Sequence, residues 1–87
     1  MIISKNIENF LINYYKENGI IVKNIKIIDN NDYKTITIEF SDIPSKVLNY
    51  NILDGYFYDN IITDSIKFSK QNLSESLNKE WLLYNKK

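Results

Sequence analysis

The side chains able to carry charge or move protons in this 87-residue sequence are eleven lysines, eleven carboxylates and seven tyrosines. Histidine, cysteine, arginine and alanine do not occur at all. No imidazole base, thiolate nucleophile or soft metal ligand is therefore on offer, which excludes most catalytic triads, zinc sites and redox motifs. Without arginine there is no planar fork for a bidentate grip on phosphate or guanine. Catalysis would have to run on a carboxylate pair. No spacing puts Glu39, Asp42, Asp54 and Asp59 in one cleft, no glycine-rich phosphate loop accompanies them, and a core this small is not expected to leave a pocket of a few hundred cubic ångströms. The expectation is a protein that is not an enzyme.

Metal chemistry fares no better. Oxygen ligands alone suit calcium or magnesium, and neither Asp29-Asn30-Asn31-Asp32 nor Asn49-Tyr50-Asn51-Ile52-Leu53-Asp54 follows the calcium-loop spacing with its closing glutamate. Turn chemistry accounts for both, because Asn and Asp bond their own backbone and tolerate left-handed geometry. No metal and no cofactor are expected.

Charge is balanced overall but uneven along the chain. Residues 39–64 set Lys46 against Glu39, Asp42, Asp54, Asp59 and Asp64, whereas residues 65–87 set five lysines against Glu75 and Glu80. The stretch from Asn49 to Asp64 is acidic and aromatic, and it is the leading candidate for a partner-binding surface, with Tyr50, Asp54, Tyr56, Tyr58, Asp59 and Asp64 as its contact residues. Rigid aromatic area is enriched at interface centres, and the aspartates would face a basic groove on another protein. A sharper form of this reading has the carboxylates imitate a nucleic-acid backbone and occupy a nuclease's channel. The bland alternative is that Tyr56 and Tyr58 alternate with Phe57 across a sheet edge and leave the acids in solvent. The rival site is basic: Lys67, Lys70, Lys79, Lys86 and Lys87 near Trp81 and Tyr84 would bind nucleic acid by charge and stacking. Zero net charge weighs against it, as does the place of Trp81 on an apolar helical stripe, where core packing is the ordinary role.

Hydrophobic spacing names the elements that hold these residues. Residues 5–18 read as an amphipathic helix with Ile7, Phe10, Leu11 and Tyr14 on one face, Ser4 as its N-cap and Asn18-Gly19 as its stop. Ile20 to Ile28 is dense in β-branched residues, with Ile21, Ile25 and Ile27 sharing a face. Asp29 to Asp32 turns the chain into Tyr33–Phe40, which alternates Ile36, Ile38 and Phe40 against Thr35, Thr37 and Glu39, so the two segments form a β-hairpin with one wet face. After Ser41-Asp42-Ile43-Pro44, residues 44–54 admit a short helix begun by Pro44 or a hairpin pivoting on Asp54-Gly55. Tyr56–Ile62 and Ser65–Phe68 have strand composition, and Asn72–Tyr84 sets Leu73, Leu77, Trp81 and Tyr84 along a second helical stripe.

These elements predict one α+β domain, residues 1–87, in which N- and C-terminal amphipathic helices cover a small antiparallel β-sheet of about three strands, with a possible short third helix. The order helix, strand, strand, strand, helix resembles double-stranded RNA-binding domains in topology. That resemblance implies lysines facing phosphates at the start of the last helix; Gln71-Asn72-Leu73-Ser74-Glu75 stands there instead, so no functional residue carries over. No run is long and apolar enough for a bilayer span and no signal-peptide pattern opens the chain, so a cytoplasmic protein is expected, with no membrane partner. Sixteen Ile and thirteen Asn beside two Gly and one Pro point to an AT-rich coding sequence.

The functional expectation is a non-catalytic protein-binding module whose partner is another protein, with a basic nucleic-acid-binding or nuclease surface as the fitting kind. Small phage or mobile-element inhibitors of host defence nucleases, of the anti-CRISPR type, are chains of this character. The alternatives are a nucleic-acid-binding domain using the lysine-rich C-terminal third, and an antitoxin or immunity protein that masks an enzyme. An edge strand rich in Tyr and Phe leaves the oligomeric state open.

Overall fold

A computed structural model of the chain describes residues 2–60 and 68–86. Helix α1 runs from Ile2 to Glu17, strands β1 to β4 are Val22–Asp29, Tyr33–Phe40, Lys46–Asn51 and Tyr56–Asp59, a 3-10 turn covers Lys70–Asn72, and helix α2 is Glu75–Asn85. The four strands form an antiparallel meander in the order β1-β2-β3-β4. Both helices pack on one face of this sheet, giving the expected α+β architecture with a fourth strand.

That fourth strand resolves residues 44–54 in favour of the hairpin. Pro44 precedes β3 and no helix forms there. Leu48 stands opposite Ile36 and Tyr50 opposite Phe57, so period-two burial against two neighbouring strands outweighs a helix-start signal that only local sequence supports. With four strands the topology also departs from the three-strand order noted above.

Burial follows the pleat. Ile36, Ile38 and Leu48 are fully buried beneath the helices, joined by Phe40, Tyr50 and Phe57. From α1 come Ile7, Phe10, Leu11 and Tyr15, and from α2 Leu77 and Trp81. Each such side chain contributes roughly 1.5–3 kcal/mol on burial. Trp81 is the hub: its ring centroid lies 5.1 Å from Phe10, 5.4 Å from Phe57 and 5.8 Å from Tyr50.

Several local readings shift. Helix α1 starts at Ile2, so Ser4 lies inside it rather than capping it. Gly19 closes it at φ +79°, where a side chain would be strained. Register slips between Val22 and Asn24, a β-bulge that turns Val22 onto the core and leaves Ile21 60% exposed, so Ile21 does not share a face with Ile25 and Ile27. On the far face Thr35 and Thr37 are half-buried and Asn49 is buried, and Phe68 packs edge-on to Tyr33 and Tyr58 at 5.7 and 5.1 Å, so that face is partly dry.

The sheet's two edges are finished differently. At β4, Asn78 of α2 donates to the Phe57 carbonyl (2.9 Å) and accepts from the Phe57 amide (2.6 Å), while the Ser74 amide reaches the same carbonyl at 3.1 Å. Leu73 adds a bridge to Tyr58. The buried amide of Asn78 thus stands in for a neighbouring strand. β1 has no such cover among the described residues and is guarded by its bulge, Lys23 and Lys26.

Candidate functional site

The interval from Asn49 to Asn60 is a hairpin whose inner and outer parts have opposite fates. Tyr50 and Phe57, opposite each other across β3 and β4, point to the helices and are 5% and 0% exposed. Burial pushes the Tyr50 hydroxyl pKa up, although the Trp81 indole hydrogen-bonds to it and opposes the shift. Tyr58, on the other face, is 7% exposed. Tyr56 is half-buried, Asp54 and Asp59 are exposed, and Asp64 falls outside the described residues. Of the six residues singled out from sequence, Tyr50 and Tyr58 therefore present little area to a partner, and Asp54 and Asp59 sit at opposite ends of β4.

Both described aspartates are engaged inside the fold. The Asp54 carboxylate accepts from the Tyr56 amide at 2.9 Å through Oδ1, and from the Tyr58 hydroxyl at 2.5 Å and the Asn51 side-chain amide at 3.4 Å through Oδ2. The Tyr58 hydroxyl is held up at a pKa of about 12, first because its proton is committed to Asp54 and then by burial. Asp59 pairs with Lys46 at 3.6 Å and is close enough to Tyr15 to help burial raise that hydroxyl, also to about 12.

The turn between β3 and β4 is built by the same groups. Asn51 accepts the Leu53 amide through its side chain (2.9 Å) and the Gly55 amide through its backbone carbonyl (2.8 Å). Gly55 adopts φ +77°, and the Ile52 amide ties the turn to the β1–β2 loop by donating to the Asp32 carbonyl at 3.0 Å. What this frame holds outward is apolar: Leu53 is 80% exposed and Ile52 46%. Acids and aromatics dominate the sequence signal of this interval and obscure both residues. Two adjacent aliphatics inside an Asn/Asp/Gly turn were the available signal.

A second feature lies between the helices. An open groove of about 420 Å³ runs between α1 and α2, contrary to the expectation that no hollow of that size would exist. It is lined by Phe10, Asn13, Tyr14 and Glu17 of α1 and by Glu80, Leu83 and Tyr84 of α2. Trp81, by contrast, is 2% exposed and offers no face for base stacking. Lys70, Lys79 and Lys86 are exposed, and Lys67 and Lys87 are outside the described residues.

Among the described residues, no group of three or more His, Cys, Asp or Glu side chains is placed to hold a metal ion, and no helix is long and apolar enough to cross a membrane. Comparison with known proteins finds no matching family model, no matching curated protein and no matching solved structure.

Proposed function

We propose that the chain is a non-catalytic protein-binding module whose contact surface is the β3–β4 tip, with Ile52 and Leu53 as anchors and Asp54, Tyr56 and Asp59 around them. One observation carries the reading: Leu53 is 80% exposed on a turn fixed by hydrogen bonds from both of its flanks. An apolar side chain carried on a backbone fixed ahead of binding spares the complex the cost of ordering the turn, which is how rigid tips gain affinity. In this reading Asp54 shapes the tip before it attracts anything. The absence of His, Cys and Arg supports binding over bond-making. A phage or mobile-element inhibitor of a defence nuclease acts in this way, and so does an antitoxin or immunity protein; the identity of the partner separates them.

A photo-crosslinking residue placed at position 53, with a control at Lys26, tests the reading in cells that produce the protein. A single discrete adduct from position 53, lost when Ile52→Asp is added beside it and absent from position 26, is the expected result. Adducts from position 26 alone would end it. Single- and double-stranded oligonucleotides at low salt are expected not to bind; micromolar, steeply salt-dependent binding would favour the lysine-rich C-terminal third instead.

A further inference from the structure

The groove between α1 and α2 combines features that point to a cation. Phe10 and Tyr14 lie with ring centroids 5.9 Å apart and Phe10 and Tyr84 5.4 Å apart, so three neighbouring aromatic rings belong to its lining. These rings are backed by the core, because Trp81 packs 5.1 Å from Phe10 and stacks 5.9 Å from Tyr84. Glu17 comes from one helix and Glu80 from the other, and both also border an adjoining hollow of about 310 Å³ beside Tyr14 and Ser76. Neither carboxylate makes an ion pair or hydrogen bond among the described residues, although Lys16 and Lys79 are their sequence neighbours.

Electrostatics at this place runs in one direction. Glu17 is the last residue of α1, where the helix dipole already presents partial negative charge and a cation is the favoured occupant. Aromatic faces are negative as well. Two unpaired carboxylates, a helix C-terminus and the rings of Tyr14 and Tyr84 therefore border a groove whose lining holds no positive side chain among the described residues. Leu83, 52% exposed, supplies an apolar rim beside them.

We infer that this groove seats an arginine side chain of a basic partner protein, the guanidinium stacked on Tyr14 or Tyr84 and paired with Glu17 and Glu80. A guanidinium fits better than an ammonium because it is planar, weakly hydrated and able to stack on a ring while bonding a carboxylate edge-on. The chain has no arginine, so another copy of itself cannot supply the group. The groove is a separate surface from the hairpin tip and stands or falls independently of it.

The test is a titration of the ¹⁵N-labelled protein with three short peptides identical but for one position: arginine, lysine or citrulline, the last keeping shape and losing charge. The arginine peptide is expected to shift the amides of residues 10–17 and 80–84 together. The lysine peptide should bind several-fold more weakly and the citrulline peptide not measurably. Glu17→Gln with Glu80→Gln, both at exposed positions and checked for unchanged circular dichroism, should weaken the arginine peptide about tenfold. Shifts scattered over the surface, equal binding of citrulline, equal binding of lysine, or full affinity in the double variant would each overturn the assignment.

Discussion

The paired strands β3 and β4 and the turn that joins them come from one stretch of similar composition, yet they do opposite work. In the strands, Tyr50, Phe57 and Tyr58 are buried and locked to the helices and to Phe68; in the turn, Ile52 and Leu53 are apolar and left in solvent. The difference teaches that Tyr50, Phe57 and Tyr58 are structural, and that Asp54 acts first as an internal acceptor. A mutation in the strands should be read in stability, and a mutation at the tip in binding.

The largest break in that contrast comes from Trp81→Ala, which removes the ring that meets Phe10, Tyr50 and Phe57. A loss of about 3–5 kcal/mol is expected, a large share of the stability of a domain of this size, and urea denaturation followed by circular dichroism checks it. Asn78→Ala comes next. It orphans the amide of Phe57 and leaves its carbonyl with the Ser74 amide alone at the sealed sheet edge, so about 1–3 kcal/mol should be lost, along with hydrogen-exchange protection of the Phe57 amide.

Tyr58→Phe is smaller, about 1.5 kcal/mol, because one hydrogen bond to a carboxylate disappears while the ring stays against Phe68. The same bond has a pH signature. With Tyr58 and Tyr15 both held at about 12 in the folded protein, above the ordinary tyrosine value, their stabilisation is complete below about pH 10 and is lost as pH rises through 12. Melting temperature should fall across that interval, and the fall should be shallower in Tyr58→Phe. Leu53→Ala is expected to change stability by less than about 0.5 kcal/mol, and its effect should be confined to partner binding.

Much of the fold was legible because its signals are local. The inner face of Tyr33–Phe40 reads correctly, since alternation sorts Ile36, Ile38 and Phe40 inward without reference to anything distant. The stripe of α2 was equally clear, and Gly19 and Gly55 mark turns that need their left-handed geometry. What sequence did not disclose depends on partners far along the chain. Pro44 permits either a helix or a strand, and only Leu48 opposite Ile36 decides. The bulge at β1 moves Val22 inward through its register with Phe40. Asn78, polar beside Leu77 on a core-facing helix, was a visible anomaly whose meaning needed the open edge of β4 to be seen. The groove required two helices to be brought side by side, although Tyr14 with Glu17 and Glu80 with Tyr84 stand at same-face spacings.

The claim that the tip is the contact surface is tested most directly by measuring, side by side, the affinity of the crosslinked partner for the natural protein and for Leu53→Asp, together with both melting temperatures. Affinity should drop at least about thirtyfold, the cost of losing a binding hot spot, with melting essentially unchanged. Equal affinity in the two proteins would contradict the account.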